Sequence, residues 1–314
     1  MNKKLVVMIP AYNEEATIGE VIKNIPREIE GISKVEVLVV EDGSTDKTVE
    51  VARKAGADRI ISEKQRIGLA RAFEKGKDAA LEMGADIIVN IDADNQYDPK
   101  EIPKLIQPIL DGKAEIVLGD RQISKLTHMP YSKKIGNRIA TFVTRKLSGL
   151  RISDAQTGFR AFSRKAALML NVLSDYTYTQ EMIIQAAYKK LKIVEVPVEF
   201  RKRKGKSRLI SSLWGYAKKS GVTILVTYLN YKPLKTFLVI GLIISLVGFL
   251  FGFRVLLHFF TTGSVAPFLP TAVLSAFLVI AGFQVMMMGL FASMVKSNRE
   301  LIEKILYKIK EMEK

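Results

Sequence analysis

DIIVNIDADNQYDP, residues 86–99, begins as an apolar run and ends in a cluster of oxygen-bearing side chains. The run has the length and β-branched content of a buried strand. Asp92 and Asp94 follow one residue apart, then Gln96, Asp98 and Pro99. Buried strands rarely end in unpaired carboxylates, because a desolvated charge is costly unless something binds it. The surrounding chain is basic, with a formal net charge of +16. Asp-x-Asp at a strand end offers hard oxygen ligands to Mg²⁺ or Mn²⁺, and such a cation can hold a diphosphate.

The same pattern repeats to either side. LVVMIP (5–10), VEVLVV (35–40), DRIIS (58–62) and EIVLG (115–119) read as further strands. Helical periodicity falls between them: Ile18, Val21, Ile22 and Ile25; then GSTDKTVEVARKAG (43–56), closed by Gly56; then GLARAFEKGKDAALEMG (68–84); then about 100–110. Repeated β-α units predict an α/β domain built on a mostly parallel, Rossmann-like sheet. Ligands of such sheets bind at the carboxyl ends of the strands. Pro10, Tyr12 and Glu14 follow the first strand, Glu41 and Asp42 the second, Asp92, Asp94 and Gln96 the central one, and Arg121 the next. No Gly-x-Gly-x-x-Gly follows the first strand and no Walker-type Gly-x-x-x-x-Gly-Lys-Ser/Thr loop occurs, so nucleotide phosphates must be held another way.

The chain has 314 residues, no cysteine and two histidines, which excludes disulfides, thiolate chemistry and a multi-histidine zinc site. The apolar run near the amino terminus is too short for a signal peptide. Residues 1–200 hold 31 basic and 28 acidic residues, whereas 201–235 hold ten Lys or Arg and no acid. That basic block precedes FLVIGLIISLVGFLFGF (237–253), which with VLLHFF (255–260) is long enough to span a bilayer; a second apolar segment covers about 268–295. Lys218, Lys219, Lys232 and Lys235 precede the first span, and Lys296 and Arg299 follow the second. The positive-inside rule puts both termini, and with them the amino-terminal α/β domain, in the cytoplasm, with a short turn outside. The alternative, a buried helical hairpin of a soluble protein, lacks a polar face on either segment. The basic block is therefore read as juxtamembrane, with a lipid bilayer and no nucleic acid as partner. LISSLWGYAKKSGVTILVTYLNYKP (209–233) mixes aromatics, lysines and aliphatics as interfacial helices do, and 298–314 has the spacing of an amphipathic helix.

Five motifs in order, IPAYNEE, VVEDGSTDKT, DADNQYDP, LGDRQ and DAQTGFRAF, resemble those of the family 2 glycosyltransferases of GT-A fold. Within that family the chain looks most like the dolichol-phosphate mannose synthases and related polyprenyl-phosphate sugar transferases. The resemblance covers about residues 5–210, and the paired spans extend it. It implies that Pro10, Tyr12, Glu14, Val40, Asp42, Asp92, Ala93, Asp94, Gln96, Arg121, Arg201 and Arg203 contact the donor, with Asp94 and Gln96 as metal ligands. It implies Thr157, Gly158, Ser207 and Arg208 for the acceptor phosphate, and Asp94, Arg121 and Glu181 for catalysis. Arg208 stands where the family usually has Lys.

The implied organisation is a GT-A domain over 1–208, interfacial helices over 209–235, a transmembrane hairpin over 236–295 and a cytoplasmic tail over 296–314, with homo-oligomerisation possible. The implied reaction is inverting transfer of one hexose from a nucleotide sugar, GDP-mannose first and UDP-glucose second, to dolichyl or polyprenyl phosphate. A non-catalytic membrane protein that binds nucleotide sugars or polyanions is the alternative. A processive polysaccharide synthase is disfavoured, because the one tryptophan, Trp214, lies in SSLWGY rather than in Gln-x-x-Arg-Trp.

Overall fold

The structure, a computed structural model, describes residues 3–127, 129–172, 174, 177–203, 221–222, 226 and 228–312. The chain divides into two compact units, 1–225 with 307–314, and 226–306.

The first unit is built on a seven-stranded sheet of order β3-β2-β1-β4-β6-β5-β7. The strands are β1 (Lys3–Ala11), β2 (Ile32–Glu41), β3 (Arg59–Ser62), β4 (Ile87–Asn90), β5 (Ile116–Asp120), β6 (Arg160–Ser163) and β7 (Ile193–Pro197). Alternate side chains of β1 serve opposite faces, and both faces are buried. Leu5, Val7 and Ile9 pack with residues of α1 (Ile18–Lys23) and α4 (Ile102–Leu110). Val6 and Met8 pack with residues of α3 (Leu69–Glu82), α6 (Arg164–Met169) and α7 (Thr179–Tyr188). This two-sided cover explains why the strands read as continuous apolar runs rather than as alternating ones. α2 (Thr48–Lys54) adds Ala52 to the first face.

The mostly parallel sheet agrees with the GT-A expectation, with one reversal that places the site. β6 pairs antiparallel with both β4 and β5. After β5 the chain forms α5 (Tyr131–Ser148) and then enters β6 at Arg160, which lies opposite Asn90 and Leu118. No crossover carries it back to the amino-end edge. The loop 154–159 is therefore delivered to the same edge as the carboxyl ends of β1, β2, β4 and β5.

The second unit contains α8 (Pro233–Thr262) and the larger part of α9 (Leu269–Met312). Both are long and apolar enough to cross a membrane, with mean hydropathies of 2.5 and 2.1. They approach closely through small residues. A Cβ on Gly241 would lie 2.5 Å from the Gly282 carbonyl oxygen, one on Gly282 would overlap Ser245 Oγ, and Ser275 Oγ donates to the Gly248 carbonyl at 2.8 Å. Arg254, the one charge inside the first apolar segment, lies over the Phe268 ring at 5.1 Å. The second span and the tail form one helix, not two segments, since no Gly or Pro follows Gly289. Most of the expected interfacial region 209–235 lies outside the described residues, as do Ser207, Arg208, Trp214 and His128.

Candidate active site

Four turns at the carboxyl edge need a residue in the left-handed region. Asn13 after β1 has φ 55°, Gly43 after β2 has φ 73°, Asn95 after β4 has φ 58° and Gln122 after β5 has φ 49°. Three non-glycine residues held there, at three strand ends of one sheet edge, are the kind of strain that functional turns retain. The turns are tied to one another. Asn13 N–H donates to Ser44 Oγ at 2.9 Å, and its side-chain oxygen accepts from Thr45 N–H at 2.7 Å. Buried Asp42 accepts from the backbone N–H of Ile67 at 2.6 Å and of Gly68 at 3.1 Å, holding the entry to α3.

These turns enclose a cavity of about 430 Å³. Of the residues named from the sequence, Pro10, Tyr12, Glu14, Asp42, Asp92, Ala93, Asp94, Gln96, Arg121, Gly158 and Arg203 line it. Asp92 and Asp94 share a desolvated corner. Burial pushes the Asp92 carboxyl up to about 7, with the charge of Asp94 adding to the rise and Arg121 opposing it. Burial also pushes Asp94 up, against the charge of Arg203. Asp94 Oδ1 accepts from Gln96 N–H at 3.1 Å, and Oδ2 lies 3.2 Å from Arg203 Nη1. The other arm of Arg203 donates to Glu14. Arg203 thus links the turn after β1 to the turn after β4.

The donor set suits a hard divalent cation shared with phosphate. Two adjacent carboxylates whose charge is penalised by burial favour a cation beside them. Among the described residues, no group of three His, Cys, Asp or Glu could hold a metal alone. Phosphate oxygens and water would have to complete the coordination, as Mg²⁺ and Mn²⁺ commonly accept.

Arg121 faces the cavity from the end of β5. It binds Asp154 bidentately, Nε to Oδ2 at 2.6 Å and Nη2 to Oδ1 at 2.9 Å, and it lies 5.2 Å from the Phe200 ring centre. Asn137 of α5 donates to the same carboxylate at 3.0 Å. Burial alone would push Asp154 up, but the Arg121 charge and these hydrogen bonds outweigh it and hold the carboxyl below its usual range. A folded pKa below the unfolded one stabilises the protein above the ordinary Asp value, and that contribution is lost as pH falls through the folded value.

Gly158 makes room for Asp92: a Cβ there would lie 2.6 Å from Asp92 Oδ2 and 2.8 Å from Oδ1. Gly158→Ala is expected to displace the carboxylate and lower stability by about 1–3 kcal/mol, the usual range for overpacking. Denaturant midpoint and nucleotide affinity measured on the same preparation check this; unchanged values for both would contradict it.

Four of the residues expected at the site do not line this cavity. Val40 is fully buried in the face of the sheet covered by α3, so its side chain does not line the cavity. Thr157 is fully buried and its hydroxyl lies 3.3 Å from the Tyr97 hydroxyl. Arg201 turns its guanidinium to Asp98 and Glu199, while its backbone pairs with Gln96. Glu181 is buried on α7, accepts from Ser174 N–H at 3.0 Å and from Gln185 Nε2 at 3.1 Å, and does not line the cavity. Val40 on its strand and Glu181 on its helix fall on the inward side, Thr157 is buried in the loop before β6, and Arg201 is held by its carboxylate partners.

Other residues were not assigned from sequence. Arg66 lies over the Tyr12 ring at 4.4 Å and lines the cavity. Arg160, fully buried, donates to the carbonyls of Thr157, Thr179 and Ala155 at 2.8, 2.8 and 2.9 Å. It ties the loop 154–158 to the start of α7. Its signal was visible as a guanidinium inside the apolar run of GFRAF, and Asp154 opened a motif already noticed.

A sheet whose carboxyl edge gathers paired carboxylates and guanidinium groups into one cavity defines a phosphate-handling transferase of α/β type. The model of the family "Glycosyl transferase family 2" matches residues 6–168, and the chain belongs to that family. It is a glycosyltransferase. The UDP-N-acetylglucosamine–dolichyl-phosphate N-acetylglucosaminyltransferase of Methanococcus voltae is 34% identical, over 63% of this chain and 86% of that protein. The dolichol-phosphate mannosyltransferase of Pyrococcus furiosus is 32% identical, over 66% of this chain and 59% of that protein. Among solved structures, glucosyl-3-phosphoglycerate synthase from Mycobacterium tuberculosis, in complex with Mn²⁺, UDP-glucose and phosphoglyceric acid, matches with a TM-score of 0.59. It is 25% identical, covering 72% of this chain and 80% of that one.

Proposed function

We propose that this protein is a membrane-bound inverting glycosyltransferase that moves one hexose from a nucleotide sugar to dolichyl or polyprenyl phosphate. The observation that carries the reading is the cavity itself. Asp92 and Asp94 stand beside Arg203, and the Arg121–Asp154 pair stands at the end of β5 on the same sheet edge. Such a surface suits two phosphate-bearing substrates at once. The names of the two relatives support a polyprenyl-phosphate acceptor, and the two apolar helices support a membrane location.

In this reading Tyr12, Arg66 and Asp42 hold the nucleoside, and Asp94 with Gln96 Oε1 holds Mg²⁺ or Mn²⁺. When bound, the cation supplies positive charge to the donor diphosphate. Arg203 exchanges its carboxylate partners for diphosphate oxygens, and Arg121 faces the acceptor phosphate. A phosphate oxygen is already an anion at neutral pH, so it attacks the anomeric carbon without a general base. The C1–O bond to the diphosphate breaks, and the nucleoside diphosphate leaves. GDP-mannose is the first-choice donor and UDP-glucose the second; UDP-N-acetylglucosamine belongs in the comparison because one relative is named for it. The catalytic domain faces the cytoplasm.

The test is the full-length protein in proteoliposomes with dolichyl phosphate, Mn²⁺ or Mg²⁺, and each of these three donors. One donor is expected to give a lipid-linked hexose and free nucleoside diphosphate in equal amounts. Nucleoside diphosphate release with no lipid-linked product from any donor would overturn the assignment.

A further inference from the structure

α5 is amphipathic in the wrong sense for a helix on a soluble domain. Its buried residues are Asn137, Thr141 and Thr144, all polar. They are satisfied on the inside: Asn137 binds Asp154, Thr141 Oγ1 accepts from Ala155 N–H at 3.2 Å, and Thr144 Oγ1 donates to the Ala140 carbonyl at 2.8 Å. Its outward face carries Tyr131, Ile135, Ile139 and Phe142, exposed by 77%, 41%, 60% and 57%. Their spacing of four, four and three residues puts them on one stripe. An apolar stripe of four large side chains on an exposed helix marks an interaction surface.

The charge identifies the occupant. Eight Lys or Arg and no acid lie between Asp120 and Asp154. Three of them, Lys134, Arg138 and Arg145, follow one flank of the stripe at helical spacing. With Lys125, Phe142 and one carboxylate, that of Asp120, they line a groove of about 500 Å³. None of these four cations has a carboxylate partner among the described residues. An apolar stripe edged by unpaired cations matches the boundary between acyl chains and anionic headgroups. Stripe and groove lie next to the catalytic cavity, whose lining includes Lys133 and Asn137 of the same helix.

We propose that α5 is a membrane-surface helix: its Tyr131–Phe142 stripe enters the headgroup boundary of an anionic bilayer, and Lys134, Arg138 and Arg145 bind lipid phosphates. This contact is separate from the apolar hairpin and from the juxtamembrane block. It brings the edge of the cavity to the surface from which a lipid phosphate must be drawn. The proposal rests on the membrane part of the function above and not on its chemistry, so absence of glycosyl transfer leaves its test intact.

The chain has no cysteine, so one introduced thiol carries one label. The full-length protein is labelled with bimane at Ile139→Cys, or at the exposed control Lys54→Cys, and reconstituted in phosphatidylcholine vesicles with or without phosphatidylglycerol. Nitroxide lipids are the quenchers. The expected result is quenching at position 139 by a nitroxide placed about 5–10 Å below the headgroups, none at 54, and a stronger effect with phosphatidylglycerol. Lys134→Glu with Arg138→Glu should remove that dependence on anionic lipid. As a second measurement, Ile139→Glu with Phe142→Glu should lower turnover on a long-chain acceptor in vesicles by about tenfold or more, two inserted side chains being worth at least that factor. Nucleotide affinity and turnover on a short soluble acceptor should stay unchanged. Equal, weak quenching at 139 and 54 would overturn the proposal. So would disulfide formation between Ile139→Cys copies without lipid quenching, which would assign the face to a second copy of the chain.

Discussion

Asp94→Asn is expected to reduce glycosyl transfer by more than about 100-fold, the upper range seen when only a ligand's supporting partner is lost. The substitution keeps the size of the side chain, and Gln96 N–H can still donate to an oxygen at the Oδ1 position. It removes the formal charge that faces Arg203 and, in the proposed function, the cation. Two effects would combine: a cation held by Asp94 and Gln96 would lose its one charged protein ligand, and Arg203 loses one of the two carboxylates that position it. Excess Mn²⁺ should restore little, because a neutral amide is a weak ligand for a hard cation. The check is steady-state transfer over a Mn²⁺ titration, with nucleotide affinity measured separately. Near-normal turnover by Asp94→Asn would remove the basis for a metal at this strand end.

The second large effect separates Arg121 from Glu181, both expected from the sequence to serve catalysis, with the larger loss expected at Arg121. Arg121→Ala is expected to lower the single-turnover rate at saturating donor by about 100-fold or more, the size of the loss when one donor to developing negative charge is removed. The structure adds a stability component. Without Arg121, Asp154 keeps only Asn137 and backbone partners while fully buried, and breaking a buried pair from one side costs about 3–5 kcal/mol. Arg121→Ala therefore has to be compared with Arg121→Ala/Asp154→Asn, which removes the orphaned charge. If Arg121 acts on phosphate, the double variant regains stability and not activity. Glu181→Gln is expected to lose less than about tenfold, since Glu181 does not line the cavity. Its loss should appear as about 1–3 kcal/mol of stability, because the amide nitrogen cannot accept from Ser174 N–H. Direct attack by an anionic phosphate should also invert the anomeric centre, giving a β-linked product from an α-linked donor, which NMR reads. Retained α-configuration, or a Glu181→Gln defect far larger than that of Arg121→Ala, would overturn the mechanism.

Most of the sheet was legible because its strands are local apolar runs closed by turn residues: LVVMIP, VEVLVV, DRIIS, DIIVNI and EIVLG each overlap one of the first five strands. β6 was read only as a motif, DAQTGFRAF, since four residues beside a buried Arg160 carry no periodicity. The inside-out face of α5 escaped notice for a related reason. The near balance of charge over residues 1–200 hid a thirty-residue stretch without acid, and nothing local says which side of an isolated helix the rest of the domain will cover.

By itself, then, the sequence determined the β-α succession, the strand-end carboxylates, the two apolar segments and the absence of thiol chemistry. Each depends on residue type within a short window, where periodicity and desolvation leave little freedom. Tertiary structure decided which of the neighbouring candidates face the cavity. Sheet register turned Val40 inward, the loop before β6 buried Thr157 beside Tyr97, and the packing of α7 turned Glu181 away. It also decided the partners across distance: Arg121 meets Asp154 from 33 positions away, and Arg203 meets Glu14 from 189. Such pairs carry no local signature, because a charge is matched only when the strands that bear it are brought side by side at one register.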